Sequence, residues 1–348
     1  MKRLPASALV ALWLLLINTC LAAGQQKALD QGLINPGFHE KPDWFKSSFL
    51  DLSEDVAEAA DSGKRLILYF HQDGCPYCAK LLNENFTQKS LVEKTRDHFE
   101  VIAINIWGDR EVTRLQGETT TEKAFAAAQK VMYTPTLIFL DEQGRRLLRL
   151  NGYYPPHKFE VALDYVSGHL EQQLSYRDYL AKVQPAPAKG SLHREAGTLP
   201  TPLDLRAVSR KGDKPLLVLM EQKQCPACDE LHDDILARPE VRQSLAAFDV
   251  ALVDVWSAEP LITPDGRQLK ATDWAAERKI QYAPSLLFFD KQGREVFRSD
   301  AYLKAFHLQA AMDYVSSGAY LEQPNFQRFV QARAEEMRAK GIELDLMQ

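Results

Sequence analysis

Four of the five cysteines fall in two short units, Cys75-Pro76-Tyr77-Cys78 and Cys225-Pro226-Ala227-Cys228. A Cys-x-x-Cys pair can be half a zinc site, a structural disulfide or a redox dithiol. If each unit opens a helix, both sulfurs sit on its first turn. There the unpaired amide N–H groups and the positive end of the helix dipole favour thiolate, the nucleophilic form. Pro76 and Pro226 suit the first helical position, where a missing N–H costs nothing.

The spacing of the pairs bears on which chemistry they do. Zinc ribbons bring two such pairs within about 15–20 residues, whereas Cys78 and Cys225 lie in different halves of the chain and no His-x-x-x-His partner is visible. A purely structural bridge more often closes a long loop, because a short one restrains the unfolded chain less. A redox pair accounts best for the flanks. The apolar runs Leu66-Ile67-Leu68-Tyr69 and Leu216-Leu217-Val218-Leu219 read as buried strands leading into the two cysteine helices. No metal and no cofactor is expected.

The elements that must position these pairs follow in order. The pattern predicts an amphipathic helix over 51–61, a strand over 64–70, a helix over 76–85 and another over 91–99. A strand over 101–107, a polar excursion over 108–121 and a helix over 122–131 come next. Pro135 heads an apolar strand, where a sheet tolerates proline. A turn over 142–145, a return strand over 146–150 and a closing helix over 156–170 complete an α/β unit around one central sheet. The order then repeats. Thr134-Pro135-Thr136-Leu137-Ile138-Phe139-Leu140-Asp141 recurs as Ala283-Pro284-Ser285-Leu286-Leu287-Phe288-Phe289-Asp290, Asp164-Tyr165-Val166-Ser167 as Asp313-Tyr314-Val315-Ser316, and Trp107 as Trp256, all at an offset of 149, with Cys75 and Cys225 150 apart. An offset kept across separated landmarks marks a tandem duplication. The expected fold class is α/β, two tandem domains each with a central mixed sheet flanked by helices. The expected organisation is a leader over 1–23, a first domain with an N-terminal extension over 24–183, a Pro/Ala/Gly-rich linker over 184–202, and a second domain with a C-terminal helix over 203–348.

At 348 residues and 45% apolar content the chain can bury two cores. Its net charge of −5, or −7 once Lys2 and Arg3 are gone, argues against nucleic acid as a partner. Met1-Lys2-Arg3, the apolar run 8–17 and Cys20-Leu21-Ala22-Ala23 have the layout of a cleaved secretory signal peptide. Its removal leaves an even set of four cysteines and implies an oxidising compartment, expected to be the periplasm. His39, His98, His157, His169, His193, His232 and His307 keep no ligand spacing and are expected at the surface. Trp107 and Trp256 are expected in the core, and Glu118 to Glu122 in a solvated stretch. No phosphate loop and no Ser-His-Asp arrangement is present.

On Phe70-His71-Gln72-Asp73-Gly74-Cys75-Pro76-Tyr77-Cys78, Tyr133-Thr134-Pro135-Thr136, Phe139-Leu140-Asp141-Glu142-Gln143-Gly144 and Asn151-Gly152-Tyr153, both halves resemble thioredoxin-fold domains. The likeness is to the exported thioredoxin-like proteins of bacterial sulfur oxidation and periplasmic thiol chemistry. It covers about 48–182 strongly and 203–335 more loosely. It implies thiol–disulfide exchange with protein or small thiols, with Cys75 and Cys225 as exposed nucleophiles and Cys78 and Cys228 resolving the mixed disulfide. It also implies cis bonds before Pro135 and Pro284. Substrate would run past Pro76, Tyr77, Thr134, Pro135 and Gly152 in the first domain and past Ala283 and Pro284 in the second. The sequence departs from the family where a buried aspartate is usual six residues before the nucleophile; Tyr69 and Leu219 stand there, leaving His71 and Glu221 as the nearest ionisable groups. Ala301 and Ala283 replace Gly152 and Thr134, so the first domain is the more typical catalyst. The neutral dipeptides lean toward reduction, which would need a membrane electron-donor protein. The alternative is a binding or scaffold protein whose disulfides are structural.

Overall fold

The computed structural model describes residues 38–183, 191–193, 197–210, 213–301, 303–342 and 344. The expected leader over 1–23 lies outside them, as do 184–190 and 194–196 of the expected linker.

In the first half, α1 (Leu52–Asp61) begins where the Asp51 carboxylate accepts the amides of Ser53 and Glu54. Then come β1 (Arg65–His71), α2 (Pro76–Lys80), α3 (Lys89–His98), β2 (Phe99–Asn105), β3 (Glu111–Thr113), β4 (Thr119–Thr121), α4 (Glu122–Ala128), β5 (Thr136–Leu140), β6 (Arg146–Asn151), α5 (Pro156–Ser167) and α6 (Tyr176–Val183). The sheet order is β2-β1-β5-β6. β2 runs parallel to β1 through Arg65↔Phe99 to His71↔Asn105, while β5 and β6 are antiparallel neighbours. All seven residues of β1 are buried. The two-residue period of a strand sends Ile67 and Tyr69 into one core and Leu66, Leu68 and Phe70 into the other. Helices covering both faces make the strand read as a near-continuous apolar run.

The second half repeats this with β7 (Leu216–Glu221), α7 (Pro226–Glu230), α8 (Pro239–Leu245), β8 (Asp249–Asp254), β9 (Pro260–Ile262), β10 (Gln268–Lys270), α9 (Ala271–Glu277), β11 (Ser285–Phe289), β12 (Glu295–Ser299), α10 (Ala305–Ser316), α11 (Ala319–Glu322) and α12 (Phe326–Ala339). Its sheet order, β12-β11-β7-β8, mirrors the first. The expected mixed α/β architecture is therefore present twice.

Several local expectations need correction. Each cysteine helix widens into a π-turn, Leu81–Asn85 and Leu231–Ile235. The polar excursion pairs its ends as the β3–β4 ladder, anchored by buried Val112. Glu122 is not solvated. It is buried, accepting the Asn105 amide at 3.0 Å and Arg110 at 2.7 Å. Trp107 and Trp256 are half-buried, each under an arginine from the other half.

That last contact belongs to a reciprocal exchange. Tyr133 leaves its own domain for the second domain's core, meeting Phe297 and Phe326. Tyr282, its counterpart at offset 149, joins the first domain's core and meets Tyr154. Arg177 of α6 stacks 4.5 Å from the Trp256 ring and donates to the Val255 carbonyl at 2.6 Å. Arg328 of α12 returns the contact, 4.3 Å from the Trp107 ring. Between them the Asn151 amide donates to the Asp300 carboxylate at 3.0 Å, another pair at offset 149.

Candidate functional site

Each dithiol sits where its strand ends and its helix begins. Cys75 caps α2, and its sulfur accepts the Cys78 amide at 3.0 Å; Cys225 caps α7, and its sulfur accepts the Cys228 amide at 3.1 Å. A first-turn N–H thus points at the sulfur on which a thiolate charge would form, shared in the second domain with the Cys225 carbonyl at 2.8 Å. Both pairs are closed as disulfides, Cys75–Cys78 and Cys225–Cys228.

Facing them are the two expected cis bonds, Thr134–Pro135 and Ala283–Pro284; a third, Thr201–Pro202, carried no sequence signal. The Thr134 hydroxyl donates to the Cys75 sulfur at 3.2 Å, and the Thr134 carbonyl lies 3.3 Å from it. In the second domain the Ala283 carbonyl stands 3.6 Å from the Cys225 sulfur, with no hydroxyl in the set. The Gly152 amide donates to the Pro135 carbonyl at 2.7 Å, which draws the glycine to the rim of the first site. Gly152 has φ +76, a left-handed value that favours glycine.

Exposure departs from expectation. Cys75 is 2% and Cys225 4% exposed, so neither is the open nucleophile the resemblance implies. At Cys75 the cause is the other domain. Around Cys75, the slot formed with Pro76, Tyr77, Thr134 and Gly152 is closed by Leu303, His307 and Phe326. The Lys304 amide donates to the Tyr77 hydroxyl at 2.8 Å, and the Tyr77 ring stands edge-on to His307 at 5.0 Å. Gln72 locks the mouth, accepting from the Trp107 indole at 2.7 Å and donating to Gln327 at 2.9 Å. Beside Ala283, Lys158 of the first domain lies over the Tyr282 ring at 4.0 Å, and burial pushes its ammonium pKa down to about 8. The expected site residues thus gather at two sites: the second domain roofs the first, and first-domain residues line the slot beside Ala283 at the second.

The ionisable groups behind the sulfurs differ between the copies. Tyr69, in the place of the usual aspartate, is fully buried with no hydrogen-bond partner for its hydroxyl among the described residues, and burial raises its pKa. His71 is buried against the Tyr69 ring. Desolvation first, then nearby Lys41 and Arg110, pushes its pKa down to about 3, so it stays neutral. Glu221 occupies the equivalent strand end in the second domain. It is fully buried and takes a 2.6 Å hydrogen bond with Nε2 of His232.

The histidine expectation holds for His98, His157 and His169, which are exposed. His39 and His193 are half-buried, and His232 and His307 are buried. Spacing could not reveal this, because β7, α7 and the segment before the second domain meet only in the fold.

A family model for a thioredoxin-like domain matches residues 52–167 and again 202–316. Among solved structures, a thioredoxin-fold protein from Helicobacter pylori is 21% identical with a TM-score of 0.31, covering 37% of this chain and 92% of its own. A thioredoxin from Thermus thermophilus is 24% identical with a TM-score of 0.27, covering 33% and 83%. The periplasmic thioredoxin SoxS from Paracoccus pantotrophus is 22% identical with a TM-score of 0.23, covering 31% and 99%. No curated protein matches the chain. Among the described residues, no helix is long and apolar enough to cross a membrane.

Proposed function

The chain belongs to the thioredoxin-like domain family, matched in both halves, and from that premise we propose that it is an exported thiol–disulfide oxidoreductase of the periplasm. The observation that carries the reading is the seat of each first cysteine: a helix-cap sulfur that accepts the amide of its partner cysteine and faces a cis-proline loop. In the reduced protein the Cys75 thiolate attacks a substrate disulfide, forming a mixed disulfide and releasing one substrate thiolate, which takes up a proton. Cys78, as thiolate, then attacks the Cys75 sulfur. That closes Cys75–Cys78 and frees the second substrate thiol, so two electrons pass from dithiol to substrate. Cys225 and Cys228 take the same roles. Substrate backbone lies along Thr134, Pro135 and Gly152, beside Pro76 and Tyr77, or along Ala283 and Pro284. The Thr134 hydroxyl bond to sulfur, absent from the second site, supports the first site as the main catalyst.

The substrates are protein or small thiols and disulfides, and a membrane electron-donor protein recharges the dithiols when the net direction is reduction. The leader over 1–23 exports the chain, and the linker over 184–202 joins domains over 24–183 and 203–348. Because the first site is roofed, its reaction with a protein requires the halves to part. Cys75→Ala tests the reading. It should remove most of the dithiothreitol-driven reduction of a protein disulfide, and full retention would overturn the role of the first site.

The burial of both disulfides favours a second reading, in which they are structural staples of a binding protein. Equilibration against glutathione separates the two. Catalytic pairs exchange within the glutathione range, and structural pairs stay oxidised well below it.

A further inference from the structure

The second domain carries a side-chain cluster that thiol exchange does not use. Glu221 at the end of β7, His232 in the π-turn after α7 and His193 from the segment before the domain present ligand atoms all within 4.8 Å of one another. We propose that these three residues bind a divalent transition-metal ion of the zinc type.

The carboxylate comes first. Glu221 is 0% exposed, and a carboxylate held there needs compensation for the water it has lost. His232 supplies it to one oxygen only. The other, Oε2, has no hydrogen-bond partner among the described residues, and Nδ1 of His193 stands 4.0 Å from it. One carboxylate oxygen thus holds an imidazole nitrogen in a hydrogen bond, and the other faces a second imidazole nitrogen across 4.0 Å. The two rings stack at 4.4 Å and 6°.

The outer contacts fit as well. Nε2 of His193 lies 3.1 Å from the Asp229 carboxylate. A carboxylate behind a ligating histidine fixes its ring orientation and raises its basicity. Two imidazoles and one carboxylate form a borderline donor set that suits zinc and leaves a fourth position for water. Ligands about 2 Å from a zinc ion stand about 3–4 Å from one another, so an ion would replace the 2.6 Å hydrogen bond between Glu221 and Nε2 of His232, parting the two, and would draw in the half-exposed His193 side chain by about an ångström.

Comparison between the repeats points the same way. At the 150-residue offset of the cysteines, Glu221 and His232 correspond to His71 and Leu82, which offer no such set. The ion would pin the interdomain segment at His193 onto the second domain, one turn beyond Cys228 on its helix.

The test uses the full chain with both disulfides intact, so that no thiolate competes. After treatment with a chelator and desalting, zinc chloride is titrated by calorimetry. Saturation at about one ion per chain is expected, together with a zinc-dependent rise in the thermal midpoint. His193→Ala and His232→Ala should each weaken binding by about tenfold or more, while exposed His98→Ala leaves it unchanged. His193 is only half-buried, so its variant keeps the test decisive if the His232 variant does not fold. Absence of zinc binding, or binding equal in wild type and His193→Ala, overturns the proposal.

Discussion

Replacing Gly152 by alanine probes the contact between the domains at its tightest point. A Cβ built there would stand 2.3 Å from the Cβ of Ala301. Two carbons pack best at about 3.5–4.0 Å, so the loops would have to part by more than an ångström. Overpacking of this kind costs about 1–3 kcal/mol. The backbone adds a separate cost, because a non-glycine residue at the left-handed φ of +76 loses about 1–2 kcal/mol. Gly152→Ala should therefore destabilise the protein by about 2–5 kcal/mol in denaturant unfolding followed by tryptophan fluorescence. Ala301→Gly removes the opposing methyl, so the double variant recovers the packing part and keeps the backbone part, a coupling of about 1–3 kcal/mol. In the reduced single variant the loosened roof should also speed alkylation of Cys75. Additivity within about 0.5 kcal/mol, with alkylation unchanged, would refute the contact and the occlusion argued from it.

The exchanged tyrosines carry the same expectation by another route. Tyr133→Ala and Tyr282→Ala each empty a pocket in the opposite core, at about 3 kcal/mol or more, and each should open the roofed first dithiol to alkylation; no acceleration at Cys75 in either variant would count against reciprocal docking. His71 gives a pH signature. Below pH 6.5 the unfolded chain takes up a proton that the folded state accepts only near its pKa of about 3, so the unfolded state binds more protons in that window. Stability then falls as pH drops from 6.5 towards 3, by up to a few kcal/mol. His71→Phe should flatten that slope, and an unchanged slope would refute the buried neutral imidazole.

Much of each domain was legible because strands buried on two faces announce themselves. Leu66 to Phe70 and Leu216 to Met220 are unbroken apolar runs, and a proline heading the next such run left little choice of place. The duplication was legible from spacing alone. What the sequence concealed was whatever depends on contact between segments distant in the chain, above all between the halves. Tyr133 and Tyr282 carry no sequence sign of their place, and only the fold shows that each is buried in the opposite domain's core. Glu122 looked solvated among charged and threonine neighbours, although it satisfies the Asn105 amide from inside. His193, Glu221 and His232 lie on three separate segments, and no period links them. A usable signal did exist for the docking: Asn151 and Asp300, Gly152 and Ala301, and the two tyrosines all fall at the duplication offset, which is what a face that meets its own copy would leave behind.

The pairing of Gly152 with Ala301 has a consequence for why the two copies share one polypeptide. A homodimer would place the same residue on both sides of its axis, so a methyl there would meet a methyl and an aspartate would meet an aspartate. Covalent fusion lifts that restriction. One copy can supply the methyl and the other the hollow that receives it, one the carboxylate and the other the amide that donates to it. The joined chain can therefore fit itself more closely than two identical subunits could, since two second halves would set methyl against methyl and carboxylate against carboxylate.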